Sequence, residues 1–161
     1  MIYFAFVHSQ LSYGIEIYGN TYPTYLNKLT TLNNKILQIL QEAPRQTRIA
    51  DLYNNFNALM LPNLHKFNIL LFMHKFFYHK DQLPRIFHSY FQHNSELHSY
   101  NTRTKNEPHL KLFNSSIGQR SVKFKGTRIW CSLPEQLRSI SSTRSFKHKL
   151  KEFLQHMGKI D

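Results

Sequence analysis

The residues best suited to chemistry lie between His98 and Pro134. His98-Ser99-Tyr100-Asn101-Thr102-Arg103 opens the stretch, and Lys123-Phe124-Lys125-Gly126-Thr127-Arg128-Ile129-Trp130-Cys131-Ser132-Leu133-Pro134 closes it. Lys105, Lys111 and Arg120 stand between, opposed only by Glu107. These cations are interleaved with Tyr100, Phe113, Phe124 and the chain's single tryptophan, Trp130. Such a mixture neutralises phosphates and offers flat faces to bases. Arg103, Lys105, Arg120, Lys123, Lys125 and Arg128 are the candidate phosphate contacts, which position a protein on nucleic acid without reading sequence. Tyr100, set among polar residues, is the candidate base-stacking side chain. For Phe124 and Trp130, packing competes with stacking, and the apolar neighbours Ile129 and Leu133 favour packing for Trp130.

Other chemistries lack their residues. Two-metal polymerase or nuclease chemistry needs clustered carboxylates. The aspartates are Asp51, Asp81 and Asp161, with no Asp-Asp pair, and the six glutamates are scattered singly. The five glycines make no phosphate-cradling loop. Among ten histidines, His88, His93 and His98 fall five apart, near neither a cysteine nor a paired acid, so surface or packing roles are favoured over metal ligation. No G-x-S-x-G elbow is present. The single cysteine, Cys131, excludes an intrachain disulfide and reads as a core or near-core thiol. No metal, cofactor or catalytic residue is expected.

Charge points the same way as the aromatic–cation mixture. The formal net charge is +12, and residues 101–161 hold 13 Lys+Arg against 4 Asp+Glu. So large a self-repelling charge favours a polyanionic partner, nucleic acid or an anionic membrane, over a merely solvated positive surface. No apolar run reaches the length of a membrane span, since Phe67 to Met73 is stopped by His74-Lys75. The run Ile2–Val7 is too short for a signal peptide's core. An intracellular location, nuclear or cytoplasmic, is expected, with no membrane partner.

The elements that must position these residues read as mainly helical. Phe4, Val7, Leu11, Ile15 and Tyr18 recur at helical spacing over residues 3–18, with Gly14 weakening the pattern. This helix begins almost at the first residue, as if the chain continued something longer. A linker at Tyr22-Pro23 and an N-cap at Thr24 introduce a second helix over 24–41, striped by Leu26, Leu29, Ile36, Leu37 and Leu40 with Asn33 as the polar interruption. A short third helix holds Ile49, Leu52, Tyr53 and Phe56. Pro62 starts a helix over 62–79 that is apolar nearly all round, more than the other helices can cover, so part of it is expected to face a domain absent from this chain. Arg85 to Phe91 reads as a brief helix, 92–120 as irregular, Ser121 to Lys125 as one short strand, and Gly126 to Trp130 as a short helix. Leu137 and Ile140 anchor a turn. Ser141 or Ser142 caps a final amphipathic helix, 143–156, with Phe146, Leu150, Phe153 and Leu154 on its apolar face. Composition divides the chain into a helical region, 1–92, and a basic C-terminal region, 93–161.

Taken together in order, several fragments resemble the C-terminal part of reverse transcriptases from non-LTR, LINE-type retrotransposons of the jockey-like and related groups. They are His8-Ser9-Gln10-Leu11-Ser12-Tyr13-Gly14-Ile15, Leu32-Asn33-Asn34-Lys35-Ile36-Leu37, Pro44-Arg45, Leu61-Pro62, His98 to Arg103, Gly126-Thr127-Arg128-Ile129-Trp130 with Leu133-Pro134, and Phe146-Lys147 with Leu150-Lys151. Cys131 stands where that pattern has asparagine. The resemblance implies a helical thumb-like bundle followed by a basic extension. It implies a non-catalytic fragment of an RNA-directed DNA polymerase that contacts template–primer or element RNA, and a palm domain, carrying the Tyr/Phe-x-Asp-Asp motif absent here, as a further partner. A helical protein–protein docking module, with 62–79 as its face, and a relic of a decayed element are the alternative readings.

Overall fold

In this computed structural model, residues 2–97, 99–100, 105 and 107–157 are described. They are mainly helical, and among them the only ladder pairing is an isolated antiparallel bridge between His93 and Pro108. Two compact units divide the chain, residues 1–68 with 150–161, and residues 69–149. The expected cut after residue 92 separated compositions, whereas these units follow packing.

In the first unit the opening helix is not continuous. A π-helical turn, Tyr3–His8, runs into α1, Ser9–Ser12, and α2, Ile15–Tyr18, follows after a break. Gly14 makes the break with φ of 65°, a left-handed conformation that costs glycine little and other residues more. The spacing read from the sequence therefore continues across a corner. Helix α3, Pro23–Leu40, begins one residue earlier than expected. Tyr22 is the extended flanking residue and Pro23 the first helical one, so the proline is not a linker and Thr24 is not the cap. Proline's fixed φ suits that first position, where its missing N–H costs nothing. Helix α4, Ile49–Asn55, completes the set.

Tyr3, Leu37, Leu52, Tyr53 and Ala58 form this unit's core, with Phe4, Val7, Ile36 and Phe56 packed on it. Asn33, the polar interruption of the α3 stripe, is buried against that core. Its Nδ2 donates to the Tyr53 hydroxyl at 2.8 Å and the Tyr3 hydroxyl at 3.3 Å. The Tyr53 hydroxyl in turn donates to Asn34 Oδ1 at 2.7 Å, so its oxygen is left to accept and the Asn33 amide is oriented accordingly. Burial pushes the Tyr53 hydroxyl up to about 12, which keeps it protonated as a donor.

Helix α5, Leu61–Tyr78, and helix α10, Thr143–Met157, each supply a stretch to either unit. Contrary to expectation, α5 has no surplus apolar surface: of its large apolar side chains only Tyr78 is exposed. The covering comes from later in the chain. In the second unit Phe76 meets Phe91 at 5.1 Å, Phe77 meets Trp130 at 5.0 Å, and His74 stacks on Phe146 at 4.3 Å. In the first, Asn63 Nδ2 donates to the Leu154 carbonyl at 3.2 Å. Neither an absent covering domain nor a docking face is required by this helix.

The end of α5 also ties down the end of a short helix, α9, Glu135–Arg138, and the residues between it and α10. His74 Nε2 donates to the Ile140 carbonyl at 2.8 Å, Tyr78 to the Arg138 carbonyl at 2.5 Å, and His79 Nε2 to the Ser141 carbonyl at 3.0 Å. His74 is fully buried, and its Nδ1 has no partner. Burial holds its pKa below the usual 6.5, the Ile140 bond opposes that shift, and the nearby His79 reinforces it. The folded chain thus holds this proton less tightly than the unfolded one. The site's contribution to stability is complete above the unfolded value near 6.5 and is lost as pH falls towards the lower folded value. The melting temperature should fall on acidification from about pH 7.5 to about pH 5.5. It should fall less in His74→Gln, whose amide can still donate to Ile140. Thermal melts of both proteins check this, and equal slopes would remove His74 as the cause.

Candidate nucleic-acid interface

Two short helices carry most of the candidate cations. Helix α7, Ser116–Arg120, follows Ser115, whose Oγ accepts from the Gly118 N–H at 3.1 Å. Helix α8, Val122–Cys131, follows Ser121, whose Oγ accepts from the Phe124 N–H at 3.3 Å and whose hydroxyl donates to the Gly118 carbonyl at 2.6 Å. Ser121 therefore ends one helix and starts the next. This overturns the short strand expected at Ser121 to Lys125. Five alternating residues were too short a run to set period two against the helical row Gly126, Thr127, Trp130, all buried. Gly126 lies inside α8 rather than at a turn before it. A Cβ there would meet Met73 Sδ at 3.0 Å, so its missing side chain is what lets α8 lie close.

The buried row fixes where the cations can point. Arg128 is exposed on the opposite side of α8 from Thr127 and Trp130. Lys125 is half-buried beside Arg120; burial first, and the Arg120 charge second, lower its amine below the usual lysine range. Arg120 Nε donates back to the Ser116 carbonyl at 3.2 Å. Lys123 lies with its Nζ 5.6 Å from the centre of the Tyr90 ring, a cation–π contact within the protein. Lys105 is half-buried, with its carbonyl accepting from the Ser95 N–H at 2.9 Å. Tyr100 is 76% exposed and presents its ring to solvent. Arg103 lies outside the described residues. The structure thus brings Arg120 and Lys125 together, leaves Arg128 and Tyr100 outward, and turns Lys123 towards a tyrosine.

The aromatic half of the pattern is mostly internal. Trp130 is buried between Phe77, at 5.0 Å, and Phe146, at 5.9 Å, as its apolar neighbours foretold. Phe124 packs edge-on against Phe113 at 6.2 Å, and Lys111 Nζ lies 5.8 Å from the Phe113 ring. Cys131 is half-buried, and burial together with Glu107 pushes its thiol up against a smaller opposing effect of Arg138, so it is a poor thiolate.

Gln92 to Leu97, expected to be irregular, carry the short helix α6, Asn94–Leu97, and pair with Glu107 to His109. Asn94 N–H donates to the Glu107 carbonyl and His109 N–H to the Gln92 carbonyl, on either side of the His93–Pro108 bridge. Arg138 donates to Glu107 at 2.9 Å, so the one acid inside the basic stretch is already matched by a cation from outside it. That pair went unseen in the sequence because the partners stand 31 apart with nothing local to link them. The Ser115 and Ser121 caps were missed, because residues 92–120 read as irregular and Ser121 to Lys125 as a strand. Among the described residues no group of three or more His, Cys, Asp or Glu is placed to hold a metal ion, and none of the helices is long and apolar enough to cross a membrane. Compared with known protein families, curated proteins and solved structures, the chain matches none.

Proposed function

We propose that the chain is a non-catalytic, nucleic-acid-contacting helical segment, the C-terminal part of a LINE-type reverse transcriptase, gripping template–primer duplex or element RNA through backbone charge. The observation that carries this reading is the uncompensated charge of residues 101–161, 13 cations against 4 acids, with Glu107 already bound to Arg138. Arg120 and Lys125 crowd each other at the α7–α8 corner, and an entering phosphate relieves that repulsion. The exposed Arg128 and Tyr100 supply a further cation and a stacking face. The polymerase chemistry of that family belongs to its palm motif, which this sequence lacks.

Affinity for a generic RNA–DNA hybrid, measured across salt concentrations, tests the proposal. Binding should fall steeply with salt, because each neutralised duplex phosphate adds about 0.9 to the slope of log K against log salt. Changing Arg120, Lys125 and Arg128 together to alanine should lower that slope by about 2–3. A flat salt response, or an unchanged slope in the triple variant, counts against the interface.

A further inference from the structure

Helix α3 carries a second apolar row that its own unit leaves uncovered. Tyr25, Leu29, Leu32, Ile36 and Ile39 follow one another at alternating steps of four and three, the spacing of a coiled-coil seam. Leu29 and Ile36 are half-buried, whereas Tyr25, Leu32 and Ile39 are 65%, 55% and 73% exposed. Beside this row runs an apolar groove of about 480 Å³, lined from α3 by Leu29, Leu32 and Ile36 and from the opening helices by Phe6, Val7 and Leu11. Phe6 is 72% exposed at its edge. Asn33 also lines the groove, and its Oδ1 is buried without a partner. A patch of this kind, on a helix face with a flanking groove, fits an amphipathic helix laid along it.

Charge decides which helix. Lys28 and Lys35, both exposed, stand at the two positions that border the row on its solvent side, seven residues apart. In a coiled-coil pairing these are flanking positions, and they select the partner's charge. A second copy of this chain is disfavoured: laid antiparallel it sets these lysines against their counterparts, and laid parallel it sets Lys28 against Asn33 and Lys35 against Leu40. We infer that the α3 groove receives an amphipathic helix of another protein, with an apolar heptad seam and acidic flanking residues. This is independent of the nucleic-acid reading, since none of its residues belongs to the basic C-terminal stretch.

The probe is a synthetic helix of about three heptads with leucine along its seam. One form has glutamate at the flanking positions, a second has lysine there, and a third has the glutamate form's composition in scrambled order. Each is titrated into the whole chain by fluorescence anisotropy. The glutamate form should bind about three- to tenfold more tightly than the lysine form at low salt, with the gap closing as salt is raised. Lys28→Glu with Lys35→Glu should reverse the preference, which separates this site from general attraction to a protein of net charge +12. Leu32→Asp, at an exposed position that leaves the core untouched, should abolish binding while helicity by circular dichroism is unchanged. Equal binding of the scrambled helix, a preference that survives the charge reversal, or a dimer of the chain that Leu32→Asp dissolves would each overturn the inference.

Discussion

Phe146→Ala should cost the fold about 3–5 kcal/mol, a large share of the roughly 5–15 kcal/mol that holds a domain together. The ring is fully buried, stacks on His74 with centroids 4.3 Å apart and planes 17° from parallel, and meets Trp130 at 5.9 Å. Deleting it opens a void between two aromatic groups anchored by other bonds, His74 to the Ile140 carbonyl and Trp130 against Phe77. Neither can swing in to fill the space without breaking those contacts, which places the loss in the upper part of the range for such deletions. Urea unfolding read by tryptophan fluorescence measures it, because Trp130 is both the only tryptophan and a neighbour of the void. A loss under about 1.5 kcal/mol would mean that the ring is not packed there.

Asn33→Ala should cost about 1–3 kcal/mol despite removing only a few atoms. The Tyr53 oxygen, committed as donor to Asn34, loses its one donor, and the buried Tyr3 hydroxyl loses its contact as well. The cost is that of leaving buried oxygens without partners rather than that of lost apolar area. A double-mutant cycle separates the two. In Tyr53→Phe the acceptor is already gone, so a subsequent Asn33→Ala change should cost measurably less than it does alone. Strict additivity would show that the Asn33–Tyr53 bond contributes nothing.

Helix positions were legible for α3, α5 and α10, which lie within a few residues of their expected bounds, whereas the equally long apolar row over 3–18 runs across a break at Gly14. Local spacing said less about which side of a helix faces inwards. On α3, Leu40 belonged to the expected stripe yet is exposed, while Asn33, taken as an interruption, is its most useful polar residue. The reason is tertiary: Tyr3 and Tyr53 come from 30 and 20 residues away to meet that amide. The same cause misled the reading of α5, whose surface is covered by Phe91, at the end of the expected helical region, and by Trp130 and Phe146 from the stretch that composition alone set apart as basic. At the candidate interface the residue types were visible but not their directions. Lys123 and Arg128, five apart on one helix, point to opposite fates, one over the Tyr90 ring and one to solvent. The uncovered row of α3 was missed because the expected stripe, Leu26, Leu29, Ile36, Leu37 and Leu40, passed over Tyr25, Leu32 and Ile39, whose exposure only the fold reveals.

Helix α10 gives Phe146 to one unit and Leu150 and Leu154 to the other, all three fully or almost fully enclosed. Protein synthesis delivers this helix after every other one described. Both halves must therefore wait, unfinished, until it emerges, and neither can be completed on the ribosome ahead of the other. A stop codon anywhere upstream of Thr143 would not yield a shortened but serviceable half. It would strip buried apolar groups from both at once, leaving a nascent chain with exposed aromatic surface for chaperones and proteases to judge.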